Sequence, residues 1–436
     1  MKTWIYSWVF YPFVFSLARI YGLFNRKVRK TLELRSWKDF LSLRFNAGQP
    51  IEYWVHVASQ GELEYAIPIL QELNRRKKKV LITYYSISAQ SAVGRLRADL
   101  PNVSLVVPLP HDGLGLMKEF VRLVKQQGTR RLLLLKYELW PGLLWECNRE
   151  GIRVYLVDAL KPGWFHRKLI HKLDGILSGY ASETEGFFHR NVHVVGDTRV
   201  ERVLERAARR TDELARIQHG NAERADVLVC GSMWPKDSDL VLRGIESLRA
   251  SGRKLPTVYW VPHELDETEG KRVGKEFAKL GYKVFSWDQF EGREDRGLHL
   301  SESTNSSSNA IIVMKKGILA ELYHLGARAY VGGGFGSGVH SVWEPALAGA
   351  IVACGPRTRR SPESQELRSR GLLAELETGE NFARWFADRF AGGGPAIQAS
   401  VAALVKEHAG ASKRIVDICT EECDGERQNQ STHGQP

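Results

Sequence analysis

The feature that most constrains this chain is a beat that repeats along its whole length, in which a short apolar run is followed by a stretch with helical spacing. Residues 51–58 (IEYWVHVA) read as a strand. Glu62 to Arg75 follows as a helix, with Leu63, Ala66, Ile67, Leu70 and Leu73 on one face. The beat continues with strands at Val80–Tyr85, Ser104–Pro108, Arg131–Leu135, Val154–Val157, Gly175–Ser178 and Val192–Val195, and helices near Ala89 and over Leu116–Gln126. After a charged helical stretch from Arg199 to Ala225 it resumes at Val227–Cys230. Strands follow at Thr257–Val261, Lys283–Ser286, Ala310–Val313, Ala329–Val331 and Ile351–Cys354. Strands alternating with helices predict parallel sheets covered on both faces.

A chain of 436 residues exceeds one ordinary core, so two domains are expected. The expected class is α/β, with two doubly wound lobes and a cleft between them, and ligands beyond the carboxyl ends of the strands. The boundaries read as an N-terminal segment 1–30, a first α/β domain 31–205, a connector 206–224, a second α/β domain 225–410, and a polar disordered tail 421–436. Residues 287–309 are polar and Ser/Asn-rich and read as a surface loop.

Composition narrows the function. The net charge of +12 favours an anionic partner, whether nucleic acid, acidic lipid or a phosphorylated substrate. No nucleic-acid module is recognisable, so nucleic acid is not the expected partner. The cysteines Cys147, Cys230, Cys354, Cys419 and Cys423 are scattered, without CxxC pairs. That spacing argues against a disulfide framework or zinc site and fits a reducing cytoplasm.

Residues 3–18 (TWIYSWVFYPFVFSLA) are uncharged and crowded with aromatic rings, and Arg19, Arg26, Lys27, Arg29 and Lys30 follow. The run falls short of the roughly 20 residues that span a bilayer, and Pro12 interrupts it. Interfacial aromatics beside a basic cluster fit association with the cytoplasmic face of a membrane, spanning or lying flat. A buried first-domain helix is the alternative.

Candidate chemistry clusters where strands end. His56-Val-Ala-Ser59-Gln-Gly61-Glu62 closes one strand and opens a helix, where the dipole favours an ionised carboxylate able to accept a proton. From position alone, an ordinary first-turn glutamate is the simpler reading. Lys136-Tyr137-Glu138-Leu139-Trp140-Pro141 also follows a strand, as a sugar-binding pair or a plain ion pair. Gly196-Asp197-Thr198-Arg199 offers a guanidinium for phosphate or carboxylate. Gly231-Ser232-Met233-Trp234-Pro235 and the glycine-rich run Gly332 to Gly338 can bring backbone N–H groups to a phosphate. Neither has the spacing of a Walker loop or of a dinucleotide fingerprint after the first strand. Glu344 is placed to accept from a ribose, and His263 stands at another strand end. No ligand cluster suggests a metal.

In this order and spacing the motifs resemble the Kdo transferases (3-deoxy-D-manno-octulosonic acid transferases) of lipopolysaccharide synthesis. The resemblance runs from the aromatic N-terminus through Gly61-Glu62, Tyr137-Glu138-Leu139-Trp140, Gly196-Asp197-Thr198-Arg199, Gly231-Ser232, Pro262-His263-Glu264 and His340…Glu344-Pro345 to Gly355-Pro356. It implies a GT-B fold, CMP-Kdo as donor, and an anionic glycolipid, a lipid A precursor, as acceptor at the cytoplasmic face of the bacterial inner membrane. It implies Glu62 as general base and Glu138 as a second acidic group. The donor falls to Arg199, Gly231, Ser232, His263, Gly336, His340, Ser341 and Glu344, and the acceptor to Ser59, Gly61 and Lys136. Transfer with inversion at the anomeric carbon, and without a metal or other cofactor, is the implied chemistry. Familiar members carry Glu where this chain has Lys136, Thr-His where it has Met233-Trp234, Arg-His where it has His263-Glu264, and His-Asn where it has His340-Ser341. A UDP-sugar transferase or epimerase of the same fold, or a non-catalytic glycolipid-binding protein, are the competing readings.

Overall fold

The computed structural model describes residues 6, 10–33, 50–113, 115–136, 138–161, 163–185, 187, 189–208, 224–291, 308–336, 338–388 and 395–431. The chain divides into two compact units, Met1–Arg202 with His408–Pro436, and Val203–Glu407.

The first unit holds seven strands: β1 (Tyr53–Val57), β2 (Val80–Tyr84), β3 (Val103–Pro108), β4 (Arg131–Leu135), β5 (Arg153–Val157), β6 (Gly175–Ser178) and β7 (Val192–Val194). They form one parallel sheet in the order β3-β2-β1-β4-β5-β6-β7. Every residue of β1, β2 and β4 is buried, as parallel strands covered on both faces must be. Among its helices are α1 (Tyr11–Phe24), α2 (Arg26–Glu33), α3 (Gln60–Arg75), α4 (Ile87–Asp99), α5 (Leu116–Gln126) and α6 (Pro141–Arg149), and α7 (Thr198–Ala208) begins in it and runs past Arg202 into the second unit. Tyr53, Val55 and Val57 of β1 pack with Leu63, Ala66 and Leu70 of α3. Trp54, between them in sequence, packs on the other face with Phe120 of α5 and Leu143 of α6. Each buried leucine contributes roughly 1.5–3 kcal/mol.

Chain order runs outward from β1 to β3, then restarts on the other side at β4. The gap between the carboxyl ends of β1 and β4 is therefore a topological switch point, the place where open α/β sheets take ligands.

The second unit repeats the plan. Its strands are β8 (Val227–Met233), β9 (Thr257–Pro262), β10 (Lys283–Ser286), β11 (Asn309–Ile312), β12 (Arg328–Val331), β13 (Ile351–Cys354) and β14 (Leu373–Glu375), in the order β10-β11-β9-β8-β12-β13-β14, all parallel. Helices α8 (Pro235–Ala250), α9 (Glu267–Lys279), α10 (Trp343–Leu347) and α11 (Gly379–Ala387) are among those that cover it. Its switch point lies between β8 and β12.

Several sequence boundaries need correction. β14 was not anticipated, because a three-residue edge strand is too short for its alternation to register. The second domain does not extend to 410, since the chain from His408 onward belongs to the first unit. The tail placed at 421–436 as disordered continues the C-terminal helix Ala411–Ser431 as far as Ser431. That helix docks on α3: Ile415, Val416 and Cys419 join the core beneath it, Arg76 pairs with Asp417 at 2.6 Å, and Arg131 Nε donates to the Cys419 carbonyl at 2.6 Å. The connector 206–224 begins inside α7, and the loop 287–309 begins with a short helix at Trp287–Glu291 and ends inside β11. Residues 209–223, most of the 287–309 loop, Tyr137 and the last five residues lie outside the described residues.

Candidate functional site

In the first unit the site is built at the β1/β4 switch point. Ser59 caps α3, its backbone extended and its Oγ accepting from the Glu62 N–H at 3.3 Å. Glu62 turns its carboxylate back, and Oε2 accepts from the Ala58 N–H at 2.5 Å. This reciprocal Ser-x-x-Glu arrangement is close to a capping box, so the half-buried carboxylate has a structural duty. Its acidity is not what the helix dipole alone predicts. Burial raises the Glu62 carboxyl to about 7 and the Glu138 charge adds to the rise. The Ala58 bond, Lys136 and the Ser59 N–H pull the other way. Helix position alone favours an ionised Glu62; burial opposes this and raises the carboxyl to about 7.

Glu138 follows β4. Its Oε2 accepts from Trp140 Nε1 at 2.6 Å and lies 3.7 Å from His56 Nε2. Trp140 is stacked on Tyr85, with ring centroids 5.4 Å apart. Lys136, which emerges from the same strand, pairs with Asp158 at the end of β5, Nζ to Oδ2 3.0 Å. The Lys136 ammonium lies 3.8 Å from the Tyr65 ring centroid. Burial works against its charge, but Asp158 and Tyr65 outweigh that and raise its pKa. Burial also raises the Asp158 carboxyl, opposed by Lys136.

Arg199, expected to hold the donor, is anchored in the first unit. Its Nη1 donates to the Tyr65 hydroxyl at 2.7 Å and its backbone N–H to Asp197 Oδ1 at 2.8 Å. Asp197 is fully buried and also accepts from the Tyr180 hydroxyl, and its N–H donates to His408 Nδ1 at 3.0 Å. Gly61 is open to solvent beside the Ser59 hydroxyl. The switch point thus gathers Ser59, Gly61, Glu62, Lys136, Glu138 and Arg199. His56, Trp140 and Asp197, which stand in the same motifs without an assigned role, join them, and Tyr65 and Asp158 are additions from the structure. For Asp158 a signal was available: an acidic residue directly after an apolar strand.

In the second unit, Ser232 ends β8 in a left-handed conformation (φ 55°), and the glycine-rich turn follows β12 beside it. A Cβ at Gly332 would lie 2.2 Å from the Ser232 carbonyl oxygen, and one at Gly334 only 2.6 Å from the Gly355 backbone. Asp237, fully buried on α8, accepts from the Gly333 N–H at 2.9 Å and the Tyr330 hydroxyl at 3.0 Å, and so fixes the turn. Trp234, His263 and His340 form a column of rings, with centroids 4.6 and 4.2 Å apart, and Trp234 Nε1 donates to His340 Nε2 at 3.3 Å. The Ser341 hydroxyl is buried without a hydrogen-bond partner among the described residues, and Glu344 lies 3.6 Å from Arg206. Gly336 faces open space. Gly231 has a packing reason, since the Tyr323 hydroxyl occupies the place of its Cβ. The helix expected after the glycine-rich turn is the five-residue α10, too short to add a strong dipole. Among the described residues no cluster of His, Cys, Asp or Glu could hold a metal ion.

Of the four non-glycine residues with positive φ among those described, Lys136, Asp158 and Ser232 all stand at carboxyl ends of central strands. Strain of this kind, of order 1–3 kcal/mol each, persists where surrounding structure over-determines it, and it gathers at functional sites.

Residues 35–202 match the family model described as 3-deoxy-D-manno-octulosonic-acid transferase (kdotransferase). The chain is 27% identical over 318 residues to the 3-deoxy-D-manno-octulosonic acid transferase of Aquifex aeolicus, covering 72% of this chain and 78% of that one. Among solved structures it resembles the UDP-GlcNAc 2-epimerase of Neisseria meningitidis (TM-score 0.62, 10% identity, 85% of this chain and 100% of the other). It also resembles MurG of Acinetobacter baumannii (TM-score 0.54, 12% identity, 85% and 99%). The two parallel seven-stranded sheets and these neighbours establish the GT-B fold.

Proposed function

Because the chain is a glycosyltransferase of the Kdo transferase family, we propose that it transfers Kdo from CMP-Kdo to a lipid A precursor, with Glu62 as general base and inversion at the anomeric carbon. One observation carries this reading: a carboxyl group at the β1/β4 switch point, half-buried and raised to about 7 beside a second carboxylate. A sugar hydroxyl is a poor nucleophile until its proton leaves. A base titrating near the working pH takes that proton most effectively, at roughly 10²–10⁴-fold in rate. As the hydroxyl oxygen attacks, the bond from the anomeric carbon to the CMP phosphate breaks, and the phosphate takes the electron pair.

The second unit supplies groups suited to that nucleotide: the Ser232 and Gly333 turns, held by Asp237, and the Trp234–His263–His340 column. Lys136 and Arg199 are the cations of the first unit available to an anionic acceptor or to the carboxylate of the sugar. The reading calls for no metal or other cofactor.

The N-terminus supports a membrane-surface setting. Tyr11 docks on the first unit through His111, and Tyr6 donates to Asp112 at 2.7 Å. Beyond these anchors α1 exposes Phe13, Leu17, Ile20, Leu23 and Phe24, followed by the basic face of α2. At 14 residues α1 reaches about 21 Å, and no described helix is long and apolar enough to cross a membrane. We read it as lying in the interface of an anionic bilayer.

The test is incubation with CMP-Kdo and lipid A precursor, followed by mass measurement of the lipid. A gain of one or more Kdo residues supports the reading. Transfer from a UDP-sugar, with no competition from CMP, overturns it.

A further inference from the structure

The buried pair His56 and Thr83 has no place in the chemistry above. Resting on the assignment of Glu62 as base, we propose that His56 is a positioning residue, locked by Thr83 with its proton on Nε2 so that an N–H faces the carboxylate of Glu138.

His56 interrupts the apolar run of β1 and is fully buried, as is Thr83, its neighbour in register on β2. A polar group at that depth needs partners. Trp54 Nε1 donates to Thr83 Oγ1 at 2.8 Å, and an indole nitrogen can only donate. That bond uses a lone pair of the hydroxyl and leaves its proton to be placed. The one other side-chain partner of Thr83 among the described residues is His56 Nδ1, at 2.8 Å. The Thr83 hydroxyl therefore donates to Nδ1, Nδ1 is the acceptor, and the ring proton sits on Nε2.

Among the described residues Nε2 has no hydrogen-bond partner, and it lies 3.7 Å from Glu138 Oε2, the oxygen that already accepts from Trp140. At that distance it orients by charge and dipole rather than by a formed hydrogen bond, and such contacts tighten when substrate binds. Two N–H groups of fixed direction thus converge on one oxygen of Glu138. The ionised Glu138 is in turn one of the causes that lift Glu62 toward neutrality. Trp54, Thr83 and His56 lie on adjacent central strands of the first sheet, the most rigid support the unit offers.

The experiment separates this role from the transfer reading by using a readout that needs no substrate. In uniformly ¹⁵N-labelled full-length protein, long-range ¹H–¹⁵N correlation spectra report which ring nitrogen of each histidine carries the proton, and His56→Gln identifies the His56 signals by loss. The expected result is a protonated Nε2 with Nδ1 accepting, kept in Thr83→Ser and replaced by mixed tautomers in Thr83→Val. In transfer assays, Thr83→Val should lower kcat roughly 10-fold with KM little changed, while Thr83→Ser restores it. A protonated Nδ1 in the unsubstituted protein overturns the proposal. So does a Thr83→Val protein whose tautomer and kcat are unchanged. If no variant transfers Kdo but the tautomer shifts as described, the placement of His56 stands and the assigned reaction falls.

Discussion

Lys136 Nζ and Asp158 Oδ2 meet at 3.0 Å at the ends of neighbouring strands, each residue in the left-handed region, with φ of 59° and 52°. Each conformation is costly alone. The pair is largely removed from water, so neither charge is readily satisfied without the other. A carboxylate at 136 beside Asp158 would be a buried like-charge pair.

Removing one partner should therefore be worse than removing both. Lys136→Met leaves Asp158 uncompensated and should cost about 3–5 kcal/mol. Asp158→Asn added to it should recover a large part of that loss. Urea unfolding of Lys136→Met, Asp158→Asn and the double variant checks the ordering, and additive losses would contradict it.

Transfer should rise with pH through about 7, because the base must be ionised and the Glu62 carboxyl is raised to that value. Glu62→Gln should remove this limb and lower kcat by roughly 10² or more. The stability consequence has the opposite sense. A carboxyl raised on folding gives its stabilisation fully below its unfolded value of 4.5 and loses it as pH rises through about 7. Glu62→Gln should flatten that part of the stability-against-pH curve, which thermal unfolding across the range measures.

Asp237→Asn should loosen the glycine-rich turn. An amide keeps one acceptor oxygen where the carboxylate has two, so either the Gly333 N–H loses its acceptor or the Tyr330 hydroxyl must turn from donating to accepting, and the turn loses its charge-assisted bonds, at about 1–3 kcal/mol. Calorimetric titration with CMP should show weaker binding, with His263 and His340 ring signals shifted. Unchanged affinity would detach this turn from the nucleotide.

Arg414 ties the C-terminal helix to the loop before α7 by donating to the carbonyls of Val195, His408 and Ala409 at 2.8, 3.2 and 2.9 Å. Arg414→Ala should destabilise the first unit by about 1.5–3 kcal/mol. It should also weaken transfer, since the Asp197–Arg199 turn loses its backing. Hydrogen exchange localised to residues 195–199 is the measurement.

Leu23→Ser with Phe24→Ser should reduce flotation with anionic vesicles and leave the unfolding midpoint unchanged, because both side chains are exposed (71% and 85%). Retained flotation would remove α1 from the membrane contact.

The sheets, the alternation of elements and the strand ends that carry Glu62, Lys136, Glu138, Ser232 and the glycine-rich turn were legible in the chain itself. Apolar periodicity and the location of ligands at strand ends are local properties that any reader of the residues can find. What the residues could not disclose was pairwise. Strand order decides that β1 lies beside β4, and hence that Glu138 bears on Glu62 and raises it where helix position alone predicts an ionised group. The return of Ala411–Ser431 to the first unit, the Thr83 hydroxyl under His56 and the seat of Arg199 on Tyr65 likewise join residues far apart in sequence. Burial and proximity set these charges and protons, and both come into being only when the chain is folded.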